Sequence, residues 1–286
     1  MEASMSTGKS IMVTGASGYI GRHVISKLLA RGVEVVAVDL INRNIPYGVN
    51  VYCGDMLKDS GFIDSLPLCD VLLHLAWQDG FIHNASSHLV NLPFHFDFIK
   101  RMAERGVPQI AVMGSMHEVG YWEGAIKEDT PCNPFSMYGI AKNALRQALM
   151  VEFKNKSKIF QWLRGFYIYG DDHFNNSIFT KLLEAAEAGK NLFPFTNGKN
   201  KYDFLHVEEL AQRIVSTVMQ GRVDGIINCC SGIPLSLGEA VENFIKSHGL
   251  NIKLDYGAFP DRPYDSPGVW GDATKINRIL EMESHG

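Results

Sequence analysis

Several things are missing from this sequence, and each absence narrows what the chain can be. No apolar run in its 286 residues approaches the length of a bilayer span, so no membrane partner is expected. Positive charge is not in excess: 27 Lys and Arg face 31 Asp and Glu, a net charge of −4. That leaves no basic footprint for nucleic acid. Cysteine is scarce and odd in number, with Cys53, Cys69, Cys132, Cys229 and Cys230 scattered along the chain. None stands at a metal-ligand spacing, so no metal is expected, and the scattered thiols point to a reducing compartment, the cytoplasm. Internal repeats and low-complexity segments are also missing. Met1 to Ser10 has no apolar core of a signal peptide and reads as a disordered leader. What remains is an ordinary globular composition, 46% hydrophobic and 20% charged, long enough for one large domain or two sharing a core.

The stretch that organises the chain is Ile11 to Gly21. An apolar run ends in Thr14, and Gly15, Gly18 and Gly21 follow at three-residue spacing. A helical pattern then begins, with Ile20, Val24, Ile25, Leu28 and Leu29 on one face. Strand, glycine turn and helix open a βαβ unit whose helix N-terminus faces a ligand phosphate. Gly15 permits the turn, Gly18 lets backbone approach a pyrophosphate, and Gly21 lets helix pack on strand. Glu34 to Val38 reads as the second strand and ends in Asp39. An acid there accepts hydrogen bonds from the ribose hydroxyls of NAD and repels the 2′-phosphate of NADP. The plainer alternative is that Asp39 only ends a strand.

Further strands are expected at Val51–Cys53, Val71–Leu75, Gln109–Met113 and Ile159–Leu163, alternating with helices at Asn84–Arg105 and Ser136–Phe153. Pro93 is expected to interrupt the first of these helices or sit near its start. The fold expected is α/β, a doubly wound parallel sheet of Rossmann type with a smaller C-terminal lobe. Residues 10–170 form the cofactor domain, residues 201–232 return to it, and 171–286 are mainly the substrate lobe. Later helices are expected at Ser177–Ala188, Val207–Gln220, Leu237–His248 and Thr274–Leu280.

Tyr138 and Lys142 lie four apart at the start of a helix, which puts both on one face. An ammonium beside a phenol favours the phenolate and lowers the tyrosine pKa toward neutrality. Such a tyrosine exchanges a proton with a substrate hydroxyl or carbonyl. Ser115, at the end of the preceding strand, can hydrogen-bond the same oxygen. A solvated helix face also carries Tyr and Lys at this spacing, so the order of the motifs carries the weight. That order resembles the extended short-chain dehydrogenase/reductases of the NAD-dependent epimerase/dehydratase group, which act largely on nucleoside-diphosphate sugars. The resemblance runs from Ile11 to about Leu280 and includes Gly54-Asp55, His74-Leu75-Ala76 and Leu205-His206-Val207-Glu208-Glu209-Leu210-Ala211.

The resemblance implies NAD as cofactor, with NADP the alternative, and a nucleotide-sugar substrate. It implies cofactor contacts from Gly15, Ser17, Gly18, Tyr19, Ile20, Asp39, Asp55, Met56, Leu75 and Ala76, with Tyr138 as acid/base, Ser115 polarising the reacting oxygen, and Lys142 on the nicotinamide ribose. A homodimer through the helices at 84–105 and 136–153 is also implied. Ser115 is followed by Met116-His117 rather than the Asp-Glu pair of the 4,6-dehydratases, which argues against dehydration. His117 stands where some epimerising reductases carry a proton-shuttling cysteine; the alternative is a hydrogen bond within its own loop. Glu118 and Glu123 are expected to be solvated loop charges. On the substrate side the resemblance points to Trp77, Gln78, Asn175, Asn176, Tyr202 and Arg262. Tyr167 stands where the epimerases often carry Asn, and Tyr202 where many relatives carry a phosphate-binding Arg, while Arg262 matches a second such arginine. Three functions stay open: reduction of a 4-keto-6-deoxy sugar nucleotide, 4-epimerisation of a nucleotide sugar, and dinucleotide sensing without catalysis. Reduction of a ketone that carries no nucleotide is a further enzymatic option.

Overall fold

The computed structural model describes residues 8–173, 177–260 and 266–285. Chain order in the first half is β1 (Ser10–Thr14), α1 (Tyr19–Ala30), β2 (Glu34–Asp39), β3 (Asn50–Cys53), α2 (Ser60–Ser65), β4 (Val71–His74), α3 (Ser87–Glu104), β5 (Gln109–Ser115) and α4 (Met137–Phe153). Two more strands, Ile159–Gly165 and Gly225–Cys229, extend the sheet beyond β5. The seven strands are parallel and ordered 3-2-1-4-5, then Ile159–Gly165, then Gly225–Cys229. The order reverses between β1 and β4, the place where doubly wound sheets bind ligands beyond their strand ends.

Alternation along β1 shows how the sheet separates two cores. Ile11 and Val13 point into a cluster with Val24, Ile25 and Leu28 of α1. Leu210, Ile214 and Val215 of α6 (Val207–Val218) and Ile276 and Ile279 of α8 (Thr274–Ser284) complete it. Met12 points the other way, to Phe98, Ile99 and Met102 of α3 and Leu145 and Leu149 of α4. A strand buried on both faces cannot alternate polar and apolar, which is why these strands read as continuous apolar runs.

A smaller body lies beside the sheet. Its core joins Phe179 and Leu182 of α5 (Ile178–Glu187) to Val241 and Phe244 of α7 (Leu237–Ser247). A short four-stranded sheet accompanies it, ordered Leu235–Ser236, Lys201–Tyr202, Gly268–Gly271 and Gly124–Ile126. The fully buried Asp203 ties the two bodies, accepting from the Ser231, Gly232 and Gly271 backbone nitrogens at 2.8, 2.9 and 3.1 Å.

Pro93 does not break its helix. It sits inside a continuous α3, which begins at Ser87 rather than Asn84. The carbonyl that loses its partner, four residues back at Leu89, belongs to a residue 43% exposed, on the side of the helix where a missing bond costs least.

Candidate active site

The glycine turn is shaped first by its backbone. Gly15 has a φ of +67°, and a Cβ there would lie 2.7 Å from the Ala76 nitrogen, so only glycine fits. A Cβ at Gly21 would sit 2.2 Å from the Gly15 carbonyl oxygen, which accounts for the third glycine. Gly18 is the N-cap of α1, with no side chain capping it and no acidic residue in the first turn. The helix therefore turns its first N–H groups and the positive end of its dipole toward whatever fills the turn. Asp39 Oδ2 accepts from Ser17 twice, from the backbone nitrogen at 2.8 Å and from Oγ at 2.7 Å. It thus braces the turn from the end of β2, while Oδ1 accepts from the Leu40 nitrogen at 2.7 Å.

A cavity of about 1150 Å³ opens here. That is room for a dinucleotide and a second ligand. Gly15, Ser17, Gly18, Tyr19, Ile20, Asp39, Asp55 and Met56 line it, as do Leu75, Ala76, Trp77 and Gln78. So do Ser115, His117, Tyr138, Lys142 and Tyr202. Of the residues expected from sequence, only Asn175, Asn176 and Arg262 lie outside the described residues. Uncapped N–H groups, a turn that a side chain would fill and a carboxylate at the end of β2 are the donors and acceptors a dinucleotide requires. The residues present fit it.

Tyr138 enters in the first turn of α4, which starts sharply because Ser136 Oγ caps the Gly139 nitrogen at 3.1 Å. Its own backbone nitrogen donates to the His83 carbonyl at 2.9 Å, fastening α4 to the loop after β4. Ser115 lies beside its hydroxyl, and Ser115 Oγ accepts from the His117 nitrogen at 3.3 Å. Burial pushes the Tyr138 hydroxyl up to about 12, although Ser115 acts to lower it, opposite to the lowering read from the Tyr-x-x-x-Lys spacing. The reason is where the ammonium lies. Lys142 Nζ donates to the Met113 carbonyl at 2.8 Å and rests 3.7 Å from the centre of the Trp77 ring, against 5.9 Å for Tyr138. Desolvation brings Lys142 down to about 7.

Histidines surround this pair, and sequence reading picked out only one of them for chemistry. His83 stacks on Tyr138 at 5.5 Å and 11°, His88 meets it edge-on at 5.3 Å, and His117 at 6.0 Å. His74 and His95 lie beneath, joined Nε2 to Nδ1 at 2.9 Å. His88 and His95 are spaced i, i+7 on the buried face of α3, a pattern that marks polar residues turned inward. Burial, with His83 next to it, brings His117 down to about 4, so it is neutral at physiological pH.

The family model of the NAD dependent epimerase/dehydratase family matches residues 11–230. The chain belongs to this family. It is 46% identical to a dTDP-6-deoxy-L-talose 4-dehydrogenase (NAD(+)) of Aggregatibacter actinomycetemcomitans, over 92% of this chain and 99% of that one. Among solved structures, a UDP-glucose 4-epimerase superposes with a TM-score of 0.80 at 20% identity, covering 95% of this chain and 91% of the other. MoeE5 in complex with UDP-glucose and NAD superposes at 0.78 and 24% identity, covering 95% and 92%. At these identities the superpositions show the shared fold.

Two further features of the site bear on how this epimerase/dehydratase family member works. Tyr167 and Tyr202, the two departures from the epimerase pattern, are in contact, their ring centres 4.3 Å apart, with Phe204 5.8 and 5.9 Å away. The second corrects the sequence reading. Glu118 is not solvated; it is fully buried, accepting from Arg164 Nε at 2.7 Å and from Trp162 Nε1 at 2.9 Å. Arg164 comes from the neighbouring strand, and its Nη1 continues to the Lys127 carbonyl and Asn228. A carboxylate held this way anchors the turn after Ser115 and is unavailable as a base. Glu123 is exposed, as expected.

Proposed function

We propose that this chain is an NAD-dependent oxidoreductase acting at C4 of a nucleoside-diphosphate sugar, as reductase of a 4-keto-6-deoxy sugar nucleotide. The observation that carries the reading is the meeting of Ser115, Tyr138 and Lys142 in the cavity that also contains the glycine turn. The 46% identity to the 6-deoxy-L-talose dehydrogenase supports C4 as the reacting carbon and a dTDP-linked 6-deoxy sugar as substrate. NAD, when bound, takes or gives the hydride. Tyr138 keeps its proton at neutral pH because burial holds it near 12, so it donates to the oxygen in the reductive direction. Ser115 hydrogen-bonds the same oxygen, and Lys142 holds the ribose hydroxyls. Trp77, Gln78 and Tyr202 face the sugar nucleotide, joined by Asn175, Asn176 and Arg262. Residues 10–170 with 201–232 serve the cofactor, and the remainder mainly the substrate.

The test is NADH consumption with a panel of nucleotide-linked 4-keto-6-deoxy sugars. Sustained turnover with a dTDP sugar is expected, and a panel without turnover overturns the reading. Asp39 favours a second reading, 4-epimerisation with NAD retained, because an acid at the end of β2 suits NAD over NADPH. Near-stoichiometric NAD released on denaturation would move that reading ahead.

The protein acts as a homodimer through α3 and α4, whose Val90, Phe94, Ile140 and Val151 are 60%, 38%, 44% and 76% exposed. Sedimentation at twice the chain mass would support this. No helix among the described residues is long and apolar enough to cross a membrane. The five free cysteines fit the cytoplasm, and the product fits polysaccharide biosynthesis.

A further inference from the structure

We propose that Trp77 is the positioning residue of Lys142: one face of its indole holds the ammonium in the cavity floor, and neutral histidines keep positive charge off the rest of the ring. The proposal rests on the reading above only for what Lys142 does, not for how it is held.

A buried ammonium is costly unless it is compensated. Lys142 is 3% exposed, and its hydrogen bond is to the Met113 carbonyl. The nearby carboxylate, Glu118, is committed to Arg164 and Trp162. Glu118 still acts on Lys142 through space and raises it, but the group packed against the ammonium is the Trp77 ring, 3.7 Å away against 5.9 Å for Tyr138, well inside the range at which a ring quadrupole attracts a cation.

The rest of the indole is guarded by hydrogen-bond logic. Thr14 Oγ1 accepts from the Ala76 nitrogen at 3.4 Å and shares a hydrogen bond with His74 Nδ1 at 2.8 Å. His74 Nε2 and His95 Nδ1 share the next, at 2.9 Å, so a single hydrogen serves the contact between the two rings. His95 is stacked on Trp77 at 4.5 Å and 13°. On the indole edge, Trp77 Nε1 donates to His88 Nδ1 at 3.0 Å, and His88 Nε2 donates to the Ile82 carbonyl at 2.9 Å. A proton on His88 Nδ1 would break the bond from Trp77. Burial acts in the same sense, bringing His95 down to about 3 and His74 well below the usual range, with Lys142 adding to both. Tyr138, 6.1 Å from Trp77, stays neutral with its hydroxyl near 12. His83 and His117 lie beyond it, both lowered by burial.

The experiment reads the indole itself. The fluorescence of Trp77, taken as wild type minus Trp77→Phe, is followed against pH on the full chain. A step near neutral pH is expected, lost in Lys142→Met; a step that persists in Lys142→Met overturns the proposal. In parallel, removing the indole as Trp77→Leu is expected to move the alkaline limb of kcat down by about one pH unit, with Trp77→Phe between it and wild type. A limb unmoved in a folded Trp77→Leu protein also overturns it. If the wild type turns over no sugar nucleotide, the functional reading fails while the fluorescence titration still decides this one.

Discussion

The two ends of the cavity are made of different materials. At the glycine turn the determinants are mainly backbone, a left-handed Gly15 and an uncapped α1, with one side-chain brace from Asp39 to Ser17. Around Tyr138 they are side chains, buried and polar, each dependent on a partner from elsewhere in the fold. Glu118 needs Arg164 from 46 residues away, and His74 needs Thr14 from 60 away. The contrast teaches where robustness lies. A backbone cradle depends on one residue type at one position, while a buried polar network fails when any member is removed.

Variants can break or sharpen that contrast. Tyr138→Phe should lower turnover by about 10²–10⁴-fold while dinucleotide affinity, measured by titration calorimetry, stays within about twofold of wild type. Loss of both together would mean that the two ends are not separable. Glu118→Ala leaves the Arg164 guanidinium buried without its carboxylate, and should cost about 3–5 kcal/mol in urea unfolding. A cost below about 1 kcal/mol would show the network to be dispensable.

Acid should separate the two ends as well. His74, His83, His95 and His117 all bind protons more weakly folded than unfolded. Between the usual histidine value and their folded values the unfolded chain binds more protons, so stability rises with pH there and is lost on acidification. The melting temperature should fall from pH 6.5 toward pH 4, and less so in His95→Gln. The smallest effect expected is at Asp39. Asp39→Ala should shift the NAD-to-NADP preference by about tenfold, the weight of a charge-assisted hydrogen bond. Unchanged preference would confine Asp39 to bracing Ser17.

Legibility from sequence followed the same division. The glycine turn, the doubly wound parallel sheet and the place of Asp39 at the end of β2 were readable because each rests on contacts among neighbours in sequence or on strand-helix alternation. Tyr138 and Lys142 were readable as a pair, but not their charges: spacing on a helix says nothing of burial, nor of an indole arriving from the loop after β4. Glu118 was misread as solvated because charge in a loop usually is, and the Arg164 that buries it sits on a separate strand. His88 and His95 carried a weak local clue in their helical spacing, masked by Pro93 between them. The partners of those rings, Trp77 for His88 and His74 for His95, meet them only in three dimensions.

The position of α8 has a consequence for how the molecule is made. Ile276 and Ile279 lie in the same core cluster as Ile11 and Val13, as do Leu210 and Ile214 of α6. On the ribosome, α1 covers part of the β1 face soon after it emerges, but the cluster is complete only when α6 and α8 have followed. Until then the nascent chain leaves part of an apolar sheet face uncovered, a substrate for chaperones rather than for a dinucleotide. Such long-range closure also predicts slow refolding. Removing α8 should therefore be felt first at β1 and the glycine turn that follows it.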